Sequence, residues 1–405
     1  MTGLLTNERL HLECLVNEVF VSKPIRLLCC SSTMEGGGSE RQLVNLIRGL
    51  DRTRVAPSLF LLDRKGALLE EIPADTPVDS YWQQRRPSRF YFPGRISISQ
   101  SHAILQAIGQ HQCEVVYDRL FHMALVTGSA ARRARVARVA TIVSPPEQDL
   151  IRTESRFVWL KRWTLARSYR SATRLLAVSE GTADSASRFY NIPRSRFEVI
   201  PSPVDLERID NLCKEEVIGG LTRMGRQKLI SIGRLSEEKG HACLVKALSI
   251  TNRQSDLDLE LHLVGDGPLK RNLQEQASNE GIADRVFFHG QLANPFPFLN
   301  QADLFCLPSL YEGLPNALLE AMAVGIPVLA SDCPGGIREV TLNGTLCELV
   351  NRGDPVAWAH SIRRHFENKA PALNRVALAR QKIEQFHSLS TWVRKMEEIF
   401  IEACG

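Results

Sequence analysis

Glu312 and Glu320 stand eight positions apart in YEGLPNALLEAMAVG (311–325), on either side of a Gly-Leu-Pro-Asn turn. Two carboxylates around a helix start can divide a proton transfer between them, or they can hold hydroxyl groups. Neighbouring motifs separate these options. Pro315 in the first turn and Gly325 after the last apolar position bracket a helix over 315–324, whose free amino-terminal amides attract phosphate. GRLSEEKG (233–240) brings Arg234 and Lys239 to one strand end, where two cations hold a diphosphate in place of a metal ion. VGDGPL (264–269) ends another strand in a glycine turn, with Pro268 in the first turn of the next helix. EGGGSERQLVNLI follows the first strand; its three glycines allow close approach to a ligand, and Ser39 is placed to cap the helix. Carboxylates beside a diphosphate repel it unless they face hydrogen-bond donors. A ligand with both a diphosphate and many hydroxyls is a nucleotide sugar, with one glutamate on the sugar and the other on the ribose.

The elements that must position these residues follow one grammar, repeated in two halves: apolar strand, glycine or serine turn, amphipathic helix, strand. Strands are expected at 25–32, 55–62, 113–117, 136–143, 173–179 and 197–201, then at 228–233, 259–265, 286–290, 302–308 and 326–331. Apolar runs alternating with helices predict buried parallel strands, hence an α/β fold of two doubly wound Rossmann-like domains. Ligands bind such sheets outside the carboxyl ends of their strands. The division expected is 1–203 for an acceptor-side domain with 1–22 as an extension, 204–388 for a nucleotide-sugar domain, and 389–405 for a helix packing back on the first.

Composition excludes several function classes. The chain has 405 residues, 44% of them hydrophobic and 23% charged, as in a globular protein. No apolar run reaches the roughly 18 residues of a membrane span. Glu8, Glu13 and Glu18 argue against a signal peptide, and ten scattered cysteines without CxxC spacing fit a reducing cytoplasm. The net charge of +5 is uneven: 1–203 carry 28 basic and 19 acidic residues, against 22 and 26 in 204–405. Within 131–196 the count is 14 to 5, an excess that points to an anionic partner or to a solvated helical face. Several patterns fail. DLD (256–258) precedes its strand and lies at the wrong sheet edge for a metal site, Lys270 breaks a dinucleotide fingerprint after GDG, and EGGGSE lacks the Lys-Ser/Thr of a P-loop.

In the second half, GRLSEEKG, LVGDGPL, VFFHG, ADLFCLPSLYEGLPNALLEAMAVGIPVLASD and GGIREV resemble, in order and spacing, family 4 of the retaining glycosyltransferases. AVSEGTADSASRFYNIPRSRFEVIPSPVD (177–205) and EGGGSERQLVNLIRGL add looser similarity in the first half. The resemblance implies the GT-B fold, with two Rossmann-like domains facing across a cleft. It also implies that Arg234 and Lys239 bind the diphosphate, that Glu312 sits at the donor sugar, and that Glu320 reaches the ribose. Gly313, Leu314, Pro315 and Asn316 would present amides to sugar and phosphate. Gly265, Asp266 and Gly267 would line the nucleotide pocket, and Gly37 and Gly38 would approach from across the cleft. No cofactor or metal is implied beyond the nucleotide-sugar donor. Two departures stand out: Ser202 replaces a common Asn, and VTLNGTLCELV after Glu339 is short, which bears on how Glu339 helps hold the donor.

The reaction implied retains anomeric configuration by front-face displacement, the leaving phosphate taking the acceptor's proton. From the first domain, DRLFH (118–122) supplies candidates: His122 or Asp118 for the donor sugar or acceptor hydroxyl, and Arg119 for an anionic acceptor. Segment 151–174 interleaves Trp159, Trp163 and Tyr169 with basic residues, which suits an anionic membrane surface and a lipid-linked sugar, or else packing on the sheet. The function expected is transfer of a hexose-type sugar from a nucleotide sugar, UDP-sugar first and GDP-mannose second. The acceptor expected is a saccharide or a lipid-linked molecule of cell-surface polysaccharide or glycolipid synthesis. The protein is expected in the cytoplasm, with peripheral attachment at the inner membrane face as an option, and without nucleic acid. A sugar epimerase or phosphorylase, and a silent sugar-nucleotide-binding protein, are the alternatives.

Overall fold

The computed structural model describes residues 23–82, 94–153, 158–216 and 225–405. Apolar runs such as IRLLCCS become strands buried on both faces, as helix-covered parallel sheets require. The first sheet holds β1 (Ile25–Ser31), β2 (Val55–Leu61), β3 (Val78–Ser80), β4 (Val115–Asp118), β5 (Ala137–Ile142), β6 (Arg174–Ala177) and β7 (Phe197–Val199), in the order β3-β2-β1-β4-β5-β6-β7. The second holds β8 (Gln227–Ile232), β9 (Leu259–Val264), β10 (Val286–Gly290), β11 (Leu304–Leu307), β12 (Val328–Asp332) and β13 (Glu348–Asn351), in the order β10-β9-β8-β11-β12-β13. Every pairing among these strands is parallel. The strands β3 and β13 lie outside the runs expected from the sequence. Both are short edge strands with mixed burial.

Strand order reverses between β1 and β4 in one sheet and between β8 and β11 in the other. These switch points open crevices at the carboxyl edge. The glycine loop follows β1, Arg119 follows β4, Arg234 follows β8, and the turn carrying Glu312 follows β11. Two chain crossings join the domains: Val204 N donates to His387 O at 2.7 Å, and a His387 ring nitrogen contacts Ser202 O at 2.8 Å. The last helix, Leu389–Cys404, buries Trp392, Val393, Met396, Ile399 and Phe400 against Leu27, Cys29 and Tyr117 of the first sheet. Glu397 anchors it, accepting from Asp51 N at 2.7 Å and Arg54 at 2.6 Å.

Local details correct three expectations. Ser39 lies inside helix Gly38–Gly49, and the N-cap is Gly37. Pro315 is itself the N-cap of helix Asn316–Val324, one residue before its first turn. Pro268 stands two residues before helix Lys270–Asn279. The nine described cysteines are unpaired.

Candidate active site

A cleft of about 1090 Å³ separates the two sheets' carboxyl edges. The second-domain wall is built from three consecutive turns. Gly265 after β9 has φ +133° and abuts Gly233 O, an approach that any Cβ would block. This brings the ends of β8 and β9 together. Lys239 ends the short turn Glu237–Lys239 ahead of helix His241–Gln254, and its Nζ lies 2.6 Å from Glu312 Oε1. Ser309 donates to the same oxygen at 2.7 Å. Burial works against the Lys239 ammonium, but attraction and hydrogen bonding from Glu312, with Glu238 adding, hold its pKa above the ordinary lysine value. Of its three protons, two remain for other acceptors. Arg234 lines the cleft, exposed and without an ion pair among the described residues.

Helix Asn316–Val324 starts at the middle of this wall, and the amides of Leu314, Asn316 and Ala317 take no part in backbone hydrogen bonds. Gly313 is pinned between domains. Its carbonyl accepts from Ser179 Oγ at 2.9 Å and from Gly336 N at 2.8 Å, and a Cβ at this position would overlap Val143 O. Glu320 lines the cleft one turn into the helix, and burial raises its pKa to about 7 against a small opposing pull from Arg41.

The structure therefore brings together Arg234, Lys239, Glu312, Gly313, Leu314, Pro315, Asn316, Glu320, Gly265 and Asp266 on one wall. Gly267 stands behind it, packed on the Leu235 backbone. Gly37 and Gly38 do face the wall, but their role differs from that expected. Glu40 accepts from Gly36 N at 3.0 Å, Gly37 N at 2.5 Å and Thr33 Oγ1 at 2.6 Å, so a carboxylate of the chain occupies these loop amides. Gly38 instead lets the loop cross to Asn316, whose Nδ2 a Cβ would meet at 2.6 Å. Gln291 Nε2, donating to Glu35 O at 2.7 Å, closes the same mouth.

The first-domain wall departs further from expectation. Asp118 is 1% exposed and faces inward: both its oxygens are held by Arg138, at 2.6 and 3.0 Å, and Thr127 adds a third bond at 2.7 Å. It is a structural ion-pair member and not a cleft residue. His122, second residue of helix Phe121–Ala134, is not among the residues that line the cleft. Arg119 is. Glu339 is not among the residues that line the cleft and accepts from Glu180 N and Gly181 N at 2.8 Å each across the domain junction. It supplies the anion at the start of helix Glu180–Tyr190. Asp149, unrecognised in the sequence, lines the cleft beside Ser144, which donates to it at 2.7 Å. Burial and Glu238 raise its pKa, against hydrogen bonds from Ser144 and Tyr311 and the pull of Lys239. Its signal was its place on PEQDL, straight after a strand.

Residues 36–208 match the family model described as Glycosyltransferase Family 4, and residues 226–368 match the one described as Glycosyl transferases group 1. The chain belongs to the family 4 glycosyltransferases. The putative glycosyltransferase EpsF of Bacillus subtilis is 29% identical over 353 residues, 84% of this chain and 87% of that protein. An uncharacterized glycosyltransferase of Methanocaldococcus jannaschii is also 29% identical, over 41% of this chain, and the match spans only 40% of that relative. Among solved structures, Anabaena HepE in complex with UDP and glucose superposes with a TM-score of 0.76 at 20% identity, covering 93% of this chain and 100% of that one. The fold of this glycosyltransferase is thus GT-B. Among its described residues no helix is long and apolar enough to cross a membrane, and no group of three His, Cys, Asp or Glu could hold a metal ion. The DLD segment bears on the latter: Asp258 is paired with Arg285 and Arg226.

Proposed function

We propose that the protein transfers a hexose-type sugar, with retention, from a UDP-sugar to a saccharide or lipid-linked acceptor of polysaccharide or glycolipid synthesis. The observation that carries this reading is the Lys239–Glu312 pair at 2.6 Å, beside Arg234 and a helix start, neither of which has its donors paired in the ion pairs or backbone bonds of the described residues. Arg234, Lys239 and the amides of Leu314 and Asn316 would take the diphosphate. Glu312 and Glu320 would accept from sugar and ribose hydroxyls. As the bond from C1 to the phosphate oxygen breaks, the acceptor oxygen bonds to C1 on the same face and its proton passes to the departing phosphate. The leaving charge then meets fixed cations and dipoles, electrostatic help that is often worth about 3 kcal/mol per donor group. No dedicated base is needed, and Asp118 and His122 carry no step. UDP is favoured because HepE, of the same fold, is seen with UDP and glucose; GDP-mannose is the alternative. Reaction independent of metal belongs to the same reading, with chelation leaving the rate unchanged.

A nucleotide-sugar panel tests the donor: UDP-sugars should raise the melting temperature, and protection only by GDP-mannose would move the assignment to that donor. For the acceptor side, helix Val158–Arg170 leaves Trp159 70% and Trp163 56% exposed, next to Lys161 and Arg167, while Leu165 and Tyr169 pack inward. That face fits peripheral attachment to an anionic cytoplasmic membrane surface. Flotation with vesicles containing phosphatidylglycerol should carry the protein up at low salt, and its failure to float would remove this part.

A further inference from the structure

Arg119 is a buried cation that forms no ion pair with a carboxylate among the described residues. It follows β4 at the first sheet's switch point, lines the cleft, and is 6% exposed. Its Nη1 donates to the Tyr117 hydroxyl at 3.0 Å, which Thr141 also approaches at 3.3 Å. Its Nε is buried with no partner. The carboxylate next in sequence is committed elsewhere, because Asp118 gives both oxygens to Arg138. Asp149, on the same wall, accepts from Ser144 at 2.7 Å. Among the described residues no carboxylate forms an ion pair with it.

Burying a guanidinium without an anion is costly, and one unfilled donor adds to that cost. A ligand that supplies the opposite charge would offset this cost. The planar fork of arginine matches a carboxylate or phosphate, both of which offer two oxygens. The donor's diphosphate is already matched by Arg234 and Lys239 on the opposite wall.

We propose that Arg119 is a specificity-determining residue that recognises an oxyanion, phosphate or carboxylate, on a substrate group lying along the first-domain wall. The proposal rests on the transferase reading above and adds a charge requirement to it. Two sources share this chemistry: a phosphate on the acceptor, or a carboxylate on the transferred sugar.

Calorimetry on the full chain separates them, using the wild type, Arg119→Gln and Arg119→Lys. UDP, UDP-glucose and UDP-glucuronate probe the donor side. Farnesyl phosphate against farnesol, added to UDP-saturated protein, probes the acceptor side. The expected result is UDP affinity within about twofold in Arg119→Gln, with a loss of about tenfold or more for an acidic probe and partial recovery in Arg119→Lys. A loss on UDP-glucuronate places the oxyanion on the sugar; a loss on farnesyl phosphate places it on the acceptor. Acidic probes that bind no better than their neutral counterparts, or equally well to wild type and Arg119→Gln, overturn the proposal. So does a uniform loss of UDP and probe binding with a lowered melting temperature, which makes Arg119 structural. Failure of the wild type to bind UDP, UDP-glucose and GDP-mannose alike overturns the transferase reading first, and this one with it.

Discussion

The two walls of the cleft are built on opposite principles. On the second-domain wall, opposite charges meet at the surface of the site: Lys239 and Glu312 pair at 2.6 Å within reach of ligand. On the first-domain wall the pairing is sunk into the core. Asp118 and Arg138 are 1% exposed each and neutralise one another behind the cleft, while among the described residues no carboxylate pairs with Arg119, which lines it. A charge pair that must exchange partners with a ligand has to keep solvent access. A pair that only supports the sheet does not.

That contrast can be broken most forcefully at Asp118. Asp118→Ala leaves the Arg138 guanidinium buried and uncompensated, which should lower stability by about 3–5 kcal/mol in chemical unfolding. Were Asp118 a substrate contact, the variant would instead keep its unfolding midpoint and lose turnover. At Lys239 the expectation inverts. Lys239→Ala should cost turnover about 100- to 1000-fold, as removal of one charge-stabilising donor does, while the folded protein keeps its far-ultraviolet dichroism. Full turnover in a folded Lys239→Ala protein would abolish the donor-site assignment.

The same contrast explains what the sequence made legible. The second-domain wall is written in contiguous motifs, because turns at one sheet edge position Arg234, Lys239, Asp266 and Glu312 from short local stretches. Eleven strands follow from apolar runs for the same local reason, whereas β3 and β13, short and half-buried, carry no such run. The roles of Asp118 and Glu339 are set by groups far away in the chain. Arg138 lies 20 residues from Asp118, and the amides that Glu339 holds lie 159 and 158 residues away. No spacing rule encodes such partners. Glu40 shows the limit at close range: glycines favour an anion at the loop, and the anion proves to be the chain's own carboxylate three residues on.

The smallest predicted effect sharpens the comparison from within the second-domain wall, where Glu320, unlike Glu312, has no cation bonded to it among the described residues. Burial raises its pKa to about 7. The folded chain therefore holds a proton that the unfolded chain has already lost, so this group's contribution to stability falls as pH rises from the ordinary carboxylate range to 7. Ligand hydroxyls bonding to the charged form act in the other direction, and binding should pull the proton off. Affinity for UDP-glucose, whose diphosphate is fully ionised throughout, should accordingly rise by up to about tenfold from pH 6 to pH 8 and then level. Glu320→Gln should flatten that profile near its low-pH value. A wild-type affinity constant across this range would separate Glu320 from the ribose, leaving Glu312 as the wall's one hydroxyl-binding carboxylate.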